Sequence, residues 1–186
     1  MKSELILNNT KNEIVGIFDE NDNYVGNATR KEMRSKNLIH RATDIIIINS
    51  KNQILVQTRS MEKEYCPGYL DAVIGGVVGD KEDVNLSAER ELGEEIGLEI
   101  SKIKNKLIPF GKFLYKDNVC TCWEYEYYLV LTEEEEKLIT FRDHEVSSVK
   151  WYNIEDLIKL IDEKKEKITG GSVQTFKNFI KNKFIY

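Results

Sequence analysis

The run from Gly76 to Leu98, GVVGDKEDVNLSAERELGEEIGL, constrains the fold more tightly than any other part of the chain. Asn85 or Ser87 can open a helix here, and Gly97 can close it as a C-terminal cap. On that helix Glu91, Glu94 and Glu95 stand at i, i+3 and i+4, so their carboxylates share one face. Ala88, Leu92 and Ile96 form an adjoining apolar stripe suited to packing on a sheet. Carboxylates at this spacing repel and weaken an isolated helix, so something must compensate for them. A hard divalent cation with oxygen ligands is the natural candidate. Magnesium also bridges to phosphate oxygens, which suits a substrate containing a diphosphate. Just before the helix, Gly75-Gly76 permits a tight turn and leaves the Gly76 carbonyl free to face a metal.

The spacing is specific. Gly76 is followed by five residues, Glu82, seven residues, Arg90-Glu91-Leu92, one residue, Glu94-Glu95, one residue and Gly97-Leu98. This pattern resembles the Nudix box of diphosphate hydrolases at every defined position. The resemblance implies an α/β Nudix fold, a mixed β-sheet sandwiched between α-helices. It implies metal ligation by Glu91, Glu94, Glu95 and the Gly76 backbone carbonyl, with Mg2+ as the expected cofactor and Mn2+ as a substitute. Glu91, Glu94 and Arg90 become the expected catalytic residues, with Glu91 preferred for positioning or deprotonating the attacking water. Arg90 can grip a carboxylate through two N–H groups and so orient the acids. Outside the box, Glu124, Glu126 and Glu145 are the acids able to add a ligand or the base, and Glu145 ranks first. Arg59 and Lys63, in a segment leading toward Gly76, are candidate substrate-binding cations.

A chain of 186 residues suits one domain spanning 1–186 with a substantial core. Its net charge of −5 argues against a dedicated nucleic-acid binder, and no apolar run approaches membrane-spanning length. The start, MKSELILNNTKNE, lacks signal-peptide features, so the cytoplasm is the expected compartment. Cys120 and Cys122 sit two apart in an expected strand and point to one face. With Cys66 as the third cysteine and only His40 and His144 as histidines, a structural zinc site is not expected. The thiols read as small apolar core groups.

Glu13–Phe18 and Tyr24–Gly26, joined by a turn at 19–23, read as a hairpin, and Thr29 with Glu32 as a capping box opening a short helix. This N-terminal unit covers about 13–37. The core, about 40–157, holds strands at Ala42–Asn49, Gln53–Thr58 and Leu70–Ile74, a long hairpin of Leu107–Tyr115 and Val119–Leu131, and a last strand at Val146–Tyr152. Four consecutive isoleucines, Ile45 to Ile48, mark a strand buried on both faces. Helices at Glu155–Lys165 and Val173–Lys183 close the chain, within about 154–184.

Beyond the box, VGNATRKEM, LIHRAT, ILVQTR, Lys63, Pro67-Gly68 and Glu145-Val146 with Val149-Lys150-Trp151 resemble the bacterial Nudix branch related to type I isopentenyl diphosphate isomerases. The isomerase cysteine position falls at Gly75, and the histidine that follows it falls at Val77. One metal-binding histidine matches His40, its partner falls at Met33, and two glutamates fall near Lys116 and Asn118. The hydrolase box is therefore intact where the isomerase set is not. A hydrolase acting on a diphosphate linkage, in a nucleoside diphosphate joined to another group, is the expected function. An isomerase-like enzyme and a non-catalytic nucleotide sensor are the alternatives. The expected partner is a small-molecule diphosphate, with a homodimer as the candidate assembly. Specificity is expected from loops such as Met61–Tyr69 and Lys116–Val119, with Tyr65, Tyr69, Trp123 and Tyr125 able to stack on a base or prenyl tail.

Overall fold

The structure is a computed structural model that describes residues 11–140, 145–164 and 166–183. His144 and the outermost ends of the domain lie outside those residues. The chain opens on a hairpin of β1 (Ile14–Phe18) and β2 (Tyr24–Thr29). Its turn is organised by Asp19, whose Oδ1 accepts the backbone N–H groups of Asn21 and Asn23 at 2.8 and 2.9 Å. Thr29 caps the following helix α1 (Arg30–Ser35) by accepting the Glu32 N–H. Only this half of the expected box forms, because the Glu32 carboxylate turns to Lys36 at 2.6 Å.

The main sheet is built on β3 (His40–Ile48), β4 (Ile54–Arg59), β5 (Leu70–Asp71), β6 (Ile108–Lys116), β7 (Thr121–Val130) and β8 (Val146–Tyr152). Their order is β5-β4-β3-β7-β6, with β8 also paired to β4. β3 and β7 run parallel over their whole length, from His40 opposite Cys122 to Ile48 opposite Val130. β3 meets β4 only at Ile48 and Ile54, so the two strands part at once and open a gap between them. The chain preceding the long helix fills the β3 edge instead. Ile45 exchanges backbone hydrogen bonds with Ile74, Thr43 donates to Gly76 and Val78 donates to Arg41. The expected strand at Leu70–Ile74 is thus shortened to Leu70–Asp71 and continues as isolated bridges to β3.

The isoleucine run is buried on both faces, as its composition requires. Ile45 and Ile47 pack with Ala88, Leu92 and Ile96 of the helix α2 (Val84–Ile96). Ile46 and Ile48 pack on the opposite face with Leu157, Phe176 and Phe179 from α4 (Ile154–Glu163) and α5 (Gly170–Lys183). The mixed sheet is therefore sandwiched between helices. α2 starts earlier than Asn85 or Ser87, because Asp83 caps it, its Oδ1 accepting the N–H groups of Asn85 and Leu86. Gly97 closes α2 in the left-handed conformation, φ 68°. A short α3 (Glu133–Glu136), opened by a Thr132–Glu135 capping box, adds to the expected elements, and α5 begins three residues before Val173. Among the described residues no helix is long and apolar enough to cross a membrane.

Candidate active site

Two adjacent glycines set the geometry, each for its own reason. Gly75 has φ +154°, and a Cβ there would collide with the Thr43 carbonyl oxygen of β3. Gly76 has no such backbone demand, but a Cβ there would stand 2.7–2.9 Å from the Cδ and both oxygens of Glu91. The Glu91 carboxylate therefore rests on the bare Gly76 backbone, in space that any side chain would take. Gly76 also accepts the Thr43 N–H at 3.0 Å, which uses one of its carbonyl lone pairs and leaves the second.

Around this contact α2 distributes its acids by depth. Glu91 is 7% and Glu95 1% exposed, whereas the Glu94 side chain is 53% exposed. Arg90 ties the group together. Its Nε and Nη2 donate to the two oxygens of Glu82 at 3.0 and 3.2 Å, while Nη1 reaches Glu91 at 2.8 Å and Glu94 at 2.9 Å. Glu82 in turn accepts the Gly79 N–H at 2.8 Å, which anchors the guanidinium to the glycine-rich turn. Burial works against the Arg90 charge, yet Glu82, Glu91 and Glu94 hold it above the usual guanidinium range.

Burial, then the neighbouring Glu95 charge, pushes the Glu91 carboxyl up to about 7, against the opposing pull of Arg90. Glu95 is fixed by Gln57 at 3.2 Å, by the Gly75 N–H at 3.3 Å and by the Lys63 ammonium at 3.2 Å. Lys63 also pairs with Glu145, so Glu145, far away in sequence, joins the cluster through this lysine. The donor types, carboxylate oxygens and a backbone carbonyl with a lone pair to spare, are those that a hard divalent cation takes.

The two candidate substrate cations are both engaged by acids. Arg59 ends β4 and is committed to Asp71 at 2.8 Å and to the Tyr65 carbonyl at 3.1 Å. Lys63 neutralises the acids rather than standing free. Both line one cavity with Gly75, Gly76, Glu145 and Tyr65. Trp123 and Tyr125 instead serve the N-terminal hairpin, donating to the Asp19 carbonyl at 3.0 Å and to Asp22 at 2.5 Å. Glu126 accepts from Asn178 at 2.7 Å, whereas Glu124 is buried in the cavity wall.

Sequence reasoning missed three participants. Gln57 is a buried polar residue in the apolar run of β4, and that interruption was the available signal. Asp44 and Asp71 are buried acids of the cavity wall. Burial raises the Asp44 carboxyl to about 7, helped by the charges of Asp71 and Glu126. His40 Nδ1 donates to the Leu38 carbonyl, 3.1 Å away, as a backbone partner. The parallel register also brings it against Cys120 and Cys122, which share one face. Hydrogen bonding from Cys122, with His40 and Arg34 adding to it, holds the Cys120 thiol well below its usual range.

The model of the NUDIX domain matches residues 38–170. An uncharacterized Nudix hydrolase of Yersinia pestis is 39% identical over 60% of this chain, and the match spans 59% of that protein's length. The uncharacterized Nudix hydrolase YfcD of Escherichia coli is 34% identical over 81% of this chain and 79% of its own. An isopentenyl-diphosphate Delta-isomerase of Photorhabdus laumondii is 29% identical over 81% of this chain and 82% of its own. Among solved structures, DR0079 from Deinococcus radiodurans superposes with a TM-score of 0.70 at 23% identity, over 89% of this chain and 98% of that one.

Proposed function

From the premise that this chain belongs to the NUDIX domain family and is a hydrolase, we propose that it is a magnesium-dependent enzyme cleaving a diphosphate linkage in a small molecule. A nucleoside diphosphate joined to a second group is the preferred substrate class, and the cytoplasm the compartment. The observation that carries the reading is the seat of the Glu91 carboxylate on Gly76, held there by Arg90. Glu91, Glu94, Glu95 and the Gly76 carbonyl would hold the metal, with Glu145 in reserve beside Lys63. Magnesium, when bound, neutralises charge on the phosphate oxygens.

The residues of the chain then divide the work. Glu91 accepts the proton of the attacking water, from the position that the bare Gly76 backbone and the Arg90 fork give its carboxylate. The water oxygen bonds to phosphorus as the bridging P–O bond breaks. Arg90, clamped by Glu82, holds Glu91 and Glu94 in place. Gln57 and the Gly75 N–H fix Glu95 in the same way.

The experiment is a screen of nucleotide sugars, dinucleoside polyphosphates, ADP-ribose, coenzyme A and oxidised nucleotides with magnesium, following phosphate or nucleotide release. Alanine at Glu94 or Glu95 should remove most turnover with the circular dichroism spectrum unchanged. Unaltered turnover in both variants would defeat the assignment. The similarity to an isomerase is tested directly with isopentenyl diphosphate, where a shifted double bond without phosphate release would replace the hydrolase reading. Ligand-induced stabilisation without product across the whole panel would replace it with a sensor.

A further inference from the structure

A second cluster, separate from the carboxylates of α2, stands in the wall of the cavity that Gly76, Lys63 and Glu145 also line. His40, Cys120 and Cys122 are all buried, and one ligand atom from each lies within 4.8 Å of the others. They converge because β3 and β7 are parallel, which sets His40 opposite Cys122, and because residues two apart on a strand share a face. The two sulfurs are 3.6 Å apart, within hydrogen-bond reach and not joined by a disulfide. Two thiolates bound at about 2.3 Å to one tetrahedral ion stand about 3.8 Å apart, so the pair needs little movement to share a metal.

The surroundings are also those of a metal site. His40 Nδ1 lies 3.1 Å from the Leu38 carbonyl, an arrangement that puts the proton on Nδ1 and leaves Nε2 with a lone pair for a ligand. Arg34 donates to the Cys120 sulfur at 3.4 Å. Glu124 Oε1 accepts from Cys122 at 2.9 Å, while its Oε2 is buried with no partner. A buried carboxylate oxygen beside two thiols and an imidazole calls for a proton or a cation.

We propose that His40, Cys120 and Cys122 form a second metal site, selective for a soft divalent ion of the zinc class, with its remaining coordination position turned toward the cavity. Thiolate and imidazole ligands favour zinc over magnesium, so this site and the all-oxygen site on α2 take different ions from the same solution. Three protein ligands and one open position form the arrangement that leaves a metal able to touch a bound molecule. The cavity lining shared with Gly76 and Lys63 makes that molecule the substrate.

Cobalt titration of the reduced, metal-free full chain in excess magnesium tests this. The expected result is a thiolate-to-cobalt charge-transfer band with tetrahedral d–d absorption, removed by one equivalent of zinc. It should persist in Glu94→Gln and in Cys66→Ser, which separates it from the carboxylate site and from the third thiol. His40→Gln should weaken cobalt binding more than about 100-fold, since loss of even an outer partner costs on the order of 10–100-fold. The Cys120→Ser/Cys122→Ser double variant should lose the band altogether. A second measurement needs no variant: zinc should slow alkylation of Cys120 and Cys122, but not of Cys66, at least tenfold by peptide mass analysis. A wild-type protein without the band, a band that survives the double serine variant, or unprotected thiols would each overturn the proposal.

Discussion

Replacing Gly76 with alanine isolates the contact on which the catalytic reading depends. The added methyl would stand 2.7 Å from Oε1, 2.8 Å from Cδ and 2.9 Å from Oε2 of Glu91, where ordinary contact begins at 3.4 Å. The carboxylate must therefore retreat by about 0.6 Å, a large fraction of the ~1 Å misplacement that costs on the order of 100-fold in rate. We expect kcat to fall about 10- to 100-fold, or roughly 1.4–2.7 kcal/mol on the barrier. The fold should hardly notice, because Gly76 is outside the left-handed region and its nearest neighbours are the end of a flexible side chain. Unfolding in denaturant should move by less than about 1 kcal/mol, the range of mild overpacking. The assay is kcat on the best substrate of the screen at saturating magnesium, beside a denaturation curve on the same preparation. Wild-type kcat in a folded Gly76→Ala protein would refute the claim that the Glu91 position on this glycine matters.

Gly75→Ala should behave in the opposite way, losing about 3 kcal/mol or more of stability, because the methyl meets the Thr43 carbonyl and φ is +154°; a thermal melt within a few degrees of wild type would contradict this. Asp83→Ala should cost about 1 kcal/mol in denaturant unfolding by exposing the first N–H groups of α2. Asp44 binds its proton more tightly folded than unfolded, about 7 against 3.8, so stability falls as pH rises through that interval. Asp44→Asn should flatten the fall, matching wild type near pH 4 and exceeding it above pH 7 by up to about 4 kcal/mol, as measured by denaturant unfolding across the pH range.

The parts of the fold legible in the sequence are those written in local pattern. Four isoleucines in a row can be satisfied only by a strand with apolar layers on both sides, and Ile45 and Ile47 do pack on α2 while Ile46 and Ile48 pack on α4 and α5. Gly97 at the end of a 3.6-residue period names its own cap. At the other end the sequence pointed to Asn85 or Ser87, both able to accept backbone N–H groups, and passed over Asp83, which can do the same. Asp83 wins since its Oδ1 reaches two of them at once. The box residues were legible for the same reason, being held on one helix at fixed spacing.

What the sequence could not carry is pairing between distant segments. Lys63 meets both Glu95 and Glu145 only because β8 lies along β4, with Arg59 opposite Val146 at the end of the ladder nearest the box. Nothing local to Arg59 pointed to its ion pair with Asp71, which sits on the neighbouring strand. The cysteines show the limit most clearly. Two thiols on one strand face with no second pair nearby are correctly read as core groups while the strand is considered alone. The parallel neighbour β3 changes the chemistry of that face, because it starts on the histidine that its register sets against Cys122. A site assembled across a parallel ladder has no spacing to read, since its components are separated by whatever crossover connects the strands. The carboxylate box and the histidine–thiol cluster therefore arise from two different geometries. The first is encoded within a helix, and the second exists only once β3 and β7 are side by side.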